Sequence, residues 1–248
     1  MLVEFLEESP NYLKMIRTIS FLLATACFSL SAKTLEDVVD QARGFIGPDD
    51  KIEAITSLVY EGTLTPADGQ ESRGIRLVLQ KPAKQLLEIT QGDGQINMLV
   101  NNFEGFMIQK NLTTDQVGIS PLPTDQVRRF KANAAENLYF FEFPAKLQVR
   151  AKYLGEDQFR GKTVDTVRYV HSGGIQFLRY FDPETGELVG TLTDTGSLNT
   201  EEGLFEVDGL RFSKKVLSYE NGELVHTIEF SKITINPELD AEAFSLSN

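Results

Sequence analysis

The sequence predicts a mainly β fold of the α+β class: a single large antiparallel sheet, one helix ahead of it and one helix inserted mid-chain. Three observations carry this expectation. From Thr163 to Thr193, three runs (TVDTVRYV, IQFLRYF, ELVGT) mix β-branched or aromatic residues with polar ones at roughly period two. They are separated by His171-Ser172-Gly173-Gly174 and Asp182-Pro183-Glu184-Thr185-Gly186, which suit tight turns. Elsewhere the β-runs follow one another through connectors too short for a parallel crossover. Long apolar stripes at helical spacing occur in two places, one at each predicted helix.

The central meander also poses the functional question. Ile175, Phe177 and Phe181 fall on one face, and Leu178 and Tyr180 on the other. A strand apolar on both sides must be covered on both sides or bind something.

A length of 248 residues suits one large core, and all-β sheets of this size often remain one domain. The net charge of −12 argues against a nucleic-acid partner, because phosphate binding needs a basic face. Cys27 is the single cysteine, so no intramolecular disulfide can form. Tryptophan is absent.

Taken in order, the chain opens with three glutamates within residues 1–14, the wrong charge for the start of a secretion signal. From Met15, however, Arg17, the apolar stretch TISFLLATACFSL and Ser31-Ala32 have the anatomy of a signal peptide. The expectation is therefore a start-site extension over 1–14, a signal over 15–32 and a mature domain over 33–248, with cleavage after Ala32. The apolar run is shorter than the ~20 residues a spanning helix needs. Cys27 after Leu23-Ala24-Thr25-Ala26 loosely resembles a lipidation box, but the apolar stretch before it is very short. It is read as part of the removed signal.

Thr34 with Glu36 and Asp37 opens a helix as N-cap and early acids. Leu35, Val38, Val39, Ala42, Phe45 and Ile46 share its apolar face, and Gly47-Pro48 stops it. A short second helix fits from Asp49 or Asp50 to Ile55. Strands are expected at 57–64, 72–81, 84–90, 96–102 and 106–110. Residues 111–125, with Pro121 and Pro123, read as a loop whose Thr124-Asp125 can cap a helix. Val127, Phe130, Ala134, Leu138 and Phe141 form that helix's apolar stripe. It reads as a cover for one sheet face, compatible with a movable lid. Strands resume at 147–154, pass through the meander, and after a polar loop at 194–203 end with 210–220 and 223–235. Asn221-Gly222 is a strong hairpin signal between the last two. The total is ten or eleven strands, with the inserted helix after the fifth and no internal repeat.

Catalytic and metal-binding signatures do not emerge. His171 and His226 are the two histidines, one in a turn and one in a strand, with no cysteine near either. There is no G-x-S-x-G elbow, no H-E-x-x-H helix and no phosphate-binding glycine loop. Adjacent His171 and Ser172 point apart and cannot form a triad. Acid pairs such as Glu156-Asp157 and Glu201-Glu202 read as solvated charges. The expectation is a non-enzyme with no metal and no cofactor.

Two segments carry a resemblance: Ile55-Thr56-Ser57-Leu58-Val59-Tyr60-Glu61-Gly62 early, and Ile235-Asn236-Pro237-Glu238-Leu239-Asp240-Ala241-Glu242-Ala243-Phe244 at the end. Between them lies Tyr180-Phe181-Asp182-Pro183-Glu184-Thr185-Gly186-Glu187-Leu188, a strand, a D-x-x-T-G turn and a strand. With the signal, the early helix and the mid-chain helix, the mature chain resembles the LolA/LolB-like outer-membrane lipoprotein-sorting superfamily. It departs from that pattern in lacking tryptophan: Phe106 follows Phe103-Glu104-Gly105 where relatives often place one.

The resemblance implies an unclosed β-barrel whose concave face is covered by the two helices and encloses an apolar cavity for acyl chains. The implied function is a periplasmic carrier of lipoprotein or lipid, monomeric, receiving cargo from an inner-membrane donor and delivering it to an outer-membrane acceptor. A sensor or regulatory module on the same fold is the alternative, and a secreted hydrolase a remote one. Alternation along the strands assigns the cavity wall to Leu58, Tyr60, Ile75, Leu77, Leu79, Ile96, Met98, Phe106 and Ile108. Phe130, Leu138 and Phe141 would close it from the inserted helix, packing on strand residues such as Leu77, Leu79, Ile89 and Met98. A one-residue slip in any strand would exchange its faces.

Overall fold

The computed structural model describes residues 33–101, 104–240 and 242–246. The expected start-site extension and signal, Cys27 included, lie outside the described residues. Thr34–Asn248 forms one compact unit. Its elements in chain order are α1 (Leu35–Ile46), α2 (Asp49–Glu53), β1 (Ser57–Pro66), β2 (Arg73–Gln80), β3 (Lys84–Gln91), β4 (Gly94–Asn101), β5 (Glu104–Asn111), β6 (Val117–Pro121) and α3 (Thr124–Tyr139). There follow β7 (Arg150–Phe159), β8 (Lys162–Val170), β9 (Gln176–Phe181), β10 (Leu188–Thr193), β11 (Leu198–Val207), β12 (Leu210–Glu220) and β13 (Glu223–Ile235).

All thirteen strands belong to one antiparallel, unclosed sheet, ordered β6-β5-β4-β3-β2-β1-β13-β12-β11-β10-β9-β8-β7. Every neighbouring pair but one is consecutive in sequence. The exception, β1 with β13, sits at the centre and runs from Leu58 opposite Ile235 to Pro66 opposite His226, with a bulge at Glu61/Gly62. From that centre the chain meanders out to β6 at one edge and returns from β7 at the other. The link between the two edges is α3.

Two strands escaped the sequence reading. Residues 111–125 hold β6, paired from Lys110 opposite Val117 to Phe106 opposite Pro121. Residues 194–203 enter β11, paired along β12. β6 is a five-residue, exposed edge strand ending at Pro121 within a polar, proline-containing stretch, and β11 alternates with polar, half-solvated positions, so neither announces itself by apolar alternation. The inserted helix accordingly follows the sixth strand. Pro123 stands at its N-cap without a side-chain hydrogen bond, so the expected Thr124-Asp125 cap is not the device used. At α1 the cap is as expected. The Thr34 hydroxyl accepts from the Asp37 N–H, and the Asp37 carboxylate accepts from the Thr34 N–H at 2.8 Å. Asn221 (φ 51°) and Gly222 (φ 84°) make the β12–β13 turn, as the hairpin signal predicts.

The helices lie on one face of the sheet, called inner here. Val38, Ala42 and Ile46 of α1, Ile52 of α2 and Leu138 of α3 pack with Leu58, Leu79, Phe181, Leu210, Phe212 and Ile233 in the main core. The outer face is covered separately: Phe244 of the C-terminal segment packs on Val59, Val78 and Leu99. The Phe159 ring stacks on Tyr180 at 4.5 Å between centroids. The two-faced apolar pattern of β9 is thereby satisfied, Phe177 and Phe181 inside, Tyr180 outside.

The D-P-E-T-G turn between β9 and β10 docks on α1. The Asp182 carboxylate accepts from the N–H groups of Glu184 and Thr185, both at 2.9 Å, and the Gln41 side chain donates to the Pro183 carbonyl at 3.0 Å. Gly186 (φ +79°) has no room for a side chain, because a Cβ there would strike the main chain of Gln41 and Ala42. Gly196 (φ +86°) has equally left-handed geometry in open space. Gly196→Ala should therefore carry the conformational cost alone, about 1 kcal/mol, and Gly186→Ala roughly 2 kcal/mol more as the turn is forced off α1. Urea denaturation of the two variants measures the difference; equal losses would show that the turn does not bear on the helix.

Candidate functional site

Antiparallel register decides which predicted wall residues can share a cavity. Leu58 and Tyr60 stand opposite Leu79 and Leu77, and Ile75 opposite Ile89. Leu87 stands opposite Met98, and Ile89 opposite Ile96. All of these share the inner face. On β5 the inner set is Gly105, Met107 and Gln109, the partners of Val100, Met98 and Ile96. Phe106 and Ile108, opposite Leu99 and Asn97, point to the outer face. They lie beside the C-terminal segment with Phe244 and Leu239 and cannot line a cavity under the helices. The reason is local: Phe106-Met107-Ile108 is apolar at every position, so alternation carries no phase there.

Burial separates the rest. Leu58, Leu79 and Leu138 are fully buried, Tyr60, Ile75 and Phe141 nearly so. Leu77, Met98 and Phe130 are half-buried, and Ile96 is 38% exposed. Phe130 is thus a weaker anchor than the helical stripe implies. Leu138 holds α3 more firmly.

A cavity of about 150 Å³ opens on the inner face between α1, the C-terminal end of α3 and the sheet. Ala42, Phe45 and Ile46 line it from α1, and Phe140 and Phe141 from the end of α3. Tyr60, Leu77, Leu188, Phe212, Val216 and Phe230 line it from the sheet. Of the twelve predicted residues, Tyr60, Leu77 and Phe141 lie in this lining. The strands on its far side, β10 to β13, were not among the predicted wall, because the sequence does not say which distant strands curve under the same helix.

Two consecutive phenylalanines end α3 in left-handed backbone, Phe140 at φ 46° and Phe141 at φ 74°. That conformation is uncommon for bulky residues and costs on the order of 1–3 kcal/mol each. What they gain is aromatic contact: Phe140 meets Phe212 edge-on at 6.1 Å, and Phe141 meets Phe181 at 4.9 Å. Arg43, 4% exposed, reaches the same place from α1. It donates to the carbonyls of Tyr139 (3.5 Å) and Phe140 (3.4 Å) and pairs with Asp49 (3.0 Å), Glu53 (2.8 Å) and Glu142 (3.5 Å).

The cavity wall also carries charge that the sequence reading did not find. Glu136, on the inward side of α3, has its carboxylate bonded to His171 Nε2 at 2.5 Å and to Arg179 Nε at 2.6 Å. All three are buried. Glu136 shares a helical face with Ala132 and Tyr139-Phe140, so a polar residue inside an apolar stripe was the one available signal. Glu201 also faces the cavity and accepts from the Ser213 hydroxyl. Burial pushes its carboxyl above the ordinary carboxylate range, against the hydrogen bond of Ser213 and the nearby Arg179 charge. Burial, with the Glu201 charge second, pushes the Tyr60 phenol up as well.

No protein-family profile and no curated protein sequence matches the chain. Solved structures do. A domain from Vibrio parahaemolyticus, provisionally described as an outer membrane lipoprotein-sorting protein domain, superposes with a TM-score of 0.53 at 12% identity, covering 86% of this chain and 96% of that one. A DUF1329 family protein from Desulfovibrio piger gives 0.56 at 9% identity, covering 87% and 99%. A LolA superfamily protein from Nitrosomonas europaea gives 0.55 at 9%, covering 86% and 98%. At such identities the likeness establishes the fold, which is LolA-like.

The Glu201 environment has a stability signature. A carboxyl held above its unfolded value binds its proton more tightly when folded, so it lowers stability as pH rises from the ordinary glutamate range toward neutrality. Glu201→Gln should flatten this decline and leave the protein more stable than wild type near neutral pH, as thermal unfolding across a pH series would show. Because carboxylates such as Asp182, held below the ordinary range, contribute with the opposite sign, the test is the difference between the two curves: a variant curve that runs parallel to the wild-type one over this window would contradict the assignment.

Proposed function

We propose that the protein is a carrier that holds the acyl chain of a lipoprotein or lipid in the inner-face cavity, without catalysis. One observation carries this reading: an aromatic- and aliphatic-lined cavity lies under a helical roof that is itself partly held by exchangeable apolar contacts. The cavity volume is about 150 Å³, the size of an engineered cavity that admits one benzene. A long acyl chain therefore enters only by displacing part of the roof, and Phe140 and Phe141 are the side chains in its way.

The exchange is energetically reasonable. A twelve-carbon chain buried at ~0.8 kcal/mol per methylene contributes roughly 9 kcal/mol, against about 3 kcal/mol for each phenylalanine re-exposed. Release needs only a receiver that competes for the chain, so the carrier requires no nucleotide or metal chemistry of its own. On this reading the protein works in the periplasm. It takes cargo from an inner-membrane donor and passes it to an outer-membrane acceptor, as a monomer. The LolA-like fold and the predicted signal over 15–32 support that placement.

The mature protein should bind a fluorescent long-chain fatty acid and a diacylated lipopeptide in competition with each other. Leu77→Glu, which sets a carboxylate in the lining, should abolish binding. Circular dichroism must show its sheet intact. Absence of binding by the wild-type protein to either probe sinks the carrier reading.

A further inference from the structure

Resting on that reading, we propose that the cavity recognises the acyl carbonyl as well as the hydrocarbon chain, through the Tyr60 hydroxyl and the Arg179 Nη groups. Apolar side chains dominate the lining of this cavity, but polar and charged ones reach it too, so each buried polar group there requires an account.

Most are already satisfied by the protein. Glu136 spends its two oxygens on His171 and Arg179, and Glu201 Oε2 takes the Ser213 hydroxyl. Two buried groups have donors to spare, whereas Arg211 at the rim is exposed to water and donates to the Phe45 carbonyl at 3.0 Å. Tyr60 is 7% exposed, and its ring is fixed against Phe212 (6.1 Å) and Phe230 (5.1 Å). Its hydroxyl makes no hydrogen bond among the described residues. Nor is that hydroxyl sealed off, unlike the unpartnered hydroxyl of Tyr169. Arg179 is 8% exposed. Its Nε is committed to Glu136 and its plane lies over the Phe141 ring at 5.3 Å, while its two Nη groups make no hydrogen bond among the described residues. Both residues line the cavity.

A phenol and a guanidinium both donate, so their complement is an acceptor oxygen. Burial works against the charged form of Glu201, which makes it a poorer partner for a cation. The partner that combines an acceptor oxygen with an apolar tail is an acyl group, bound at its ester, amide or carboxyl carbonyl. Hydrocarbon alone would leave both donors desolvated and unpaired, which is unfavourable.

The test compares ten-carbon probes by displacement of the fluorescent fatty acid: decanoic acid, methyl decanoate, decylamine and decane. The wild-type protein should prefer a carbonyl-bearing probe over decane by about tenfold. Tightest binding of the acid would identify a free fatty acid as the source, and of the ester an acylated lipid or protein. In Tyr60→Phe, which keeps both ring contacts, the carbonyl-to-decane ratio should fall roughly fivefold with the melting temperature unchanged. Arg179→Lys, which keeps a charge beside Glu136 but loses the fork, should lower the same ratio. Decane bound as well as the carbonyl probes, decylamine bound best, or a ratio unmoved in both variants would overturn the proposal while leaving the acyl cavity standing. If none of the four probes displaces the fluorescent one, and that one does not bind either, the acyl reading falls and this inference with it.

Discussion

The structure depends on a topological constraint. Because β1 pairs with β13 at the centre of the sheet, the meander that begins at β1 ends at one edge and the meander that ends at β13 begins at the other. The chain must cross the whole sheet once, between Pro121 and Arg150. A helix is the economical crossing, since its backbone is self-satisfied and 16 residues span roughly 24 Å. The crossing lies over the inner face because its apolar side, with Ala134 and Leu138, has to be buried against something. From this follow the covered inner face, the meeting of α1 with the end of α3, and the gap between them that forms the cavity.

The roof is held by two kinds of interaction that answer different problems. At the end of α3 the last carbonyls lack helical partners. Arg43 supplies donors for two of them, while its three carboxylate partners keep the buried guanidinium compensated. One turn earlier, Glu136 anchors α3 to β9 and to the turn before it through Arg179 and His171. A buried carboxylate is costly unless paired and hydrogen-bonded, and here both oxygens are. These polar contacts set where α3 lies. On the proposed carrier reading, the apolar contacts of Phe140 and Phe141, made from strained backbone, are the part that an acyl chain would replace. The proposed ligand, with a polar end and an apolar end, would meet both kinds of contact.

Several features were legible in the residues. The α1 cap, the turn at 182–186, the Asn221-Gly222 hairpin and eleven of the strands follow from local chemistry: who can hold positive φ, who can cap, which runs alternate. The mid-chain helix and the residue types that would line a cavity follow from periodicity. Strands β6 and β11 were hidden because a short edge strand between prolines and polar residues, or a strand with polar, half-solvated positions, looks like a loop until a neighbour offers it hydrogen bonds. Phe106 and Ile108 went to the wrong face because a continuous apolar run has no phase of its own.

What the sequence determined by itself, then, was the class of most segments and the amphipathic character that makes a β-rich chain with two covering helices. Which strands are neighbours, which side of β5 faces the helices, and that Glu136, His171 and Arg179 meet across 43 residues were decided only by the tertiary structure. The physical reason is that register and charge pairing are relations between distant segments. Periodicity shows that a face exists; only the partner strand and the helix laid over it determine what that face encloses.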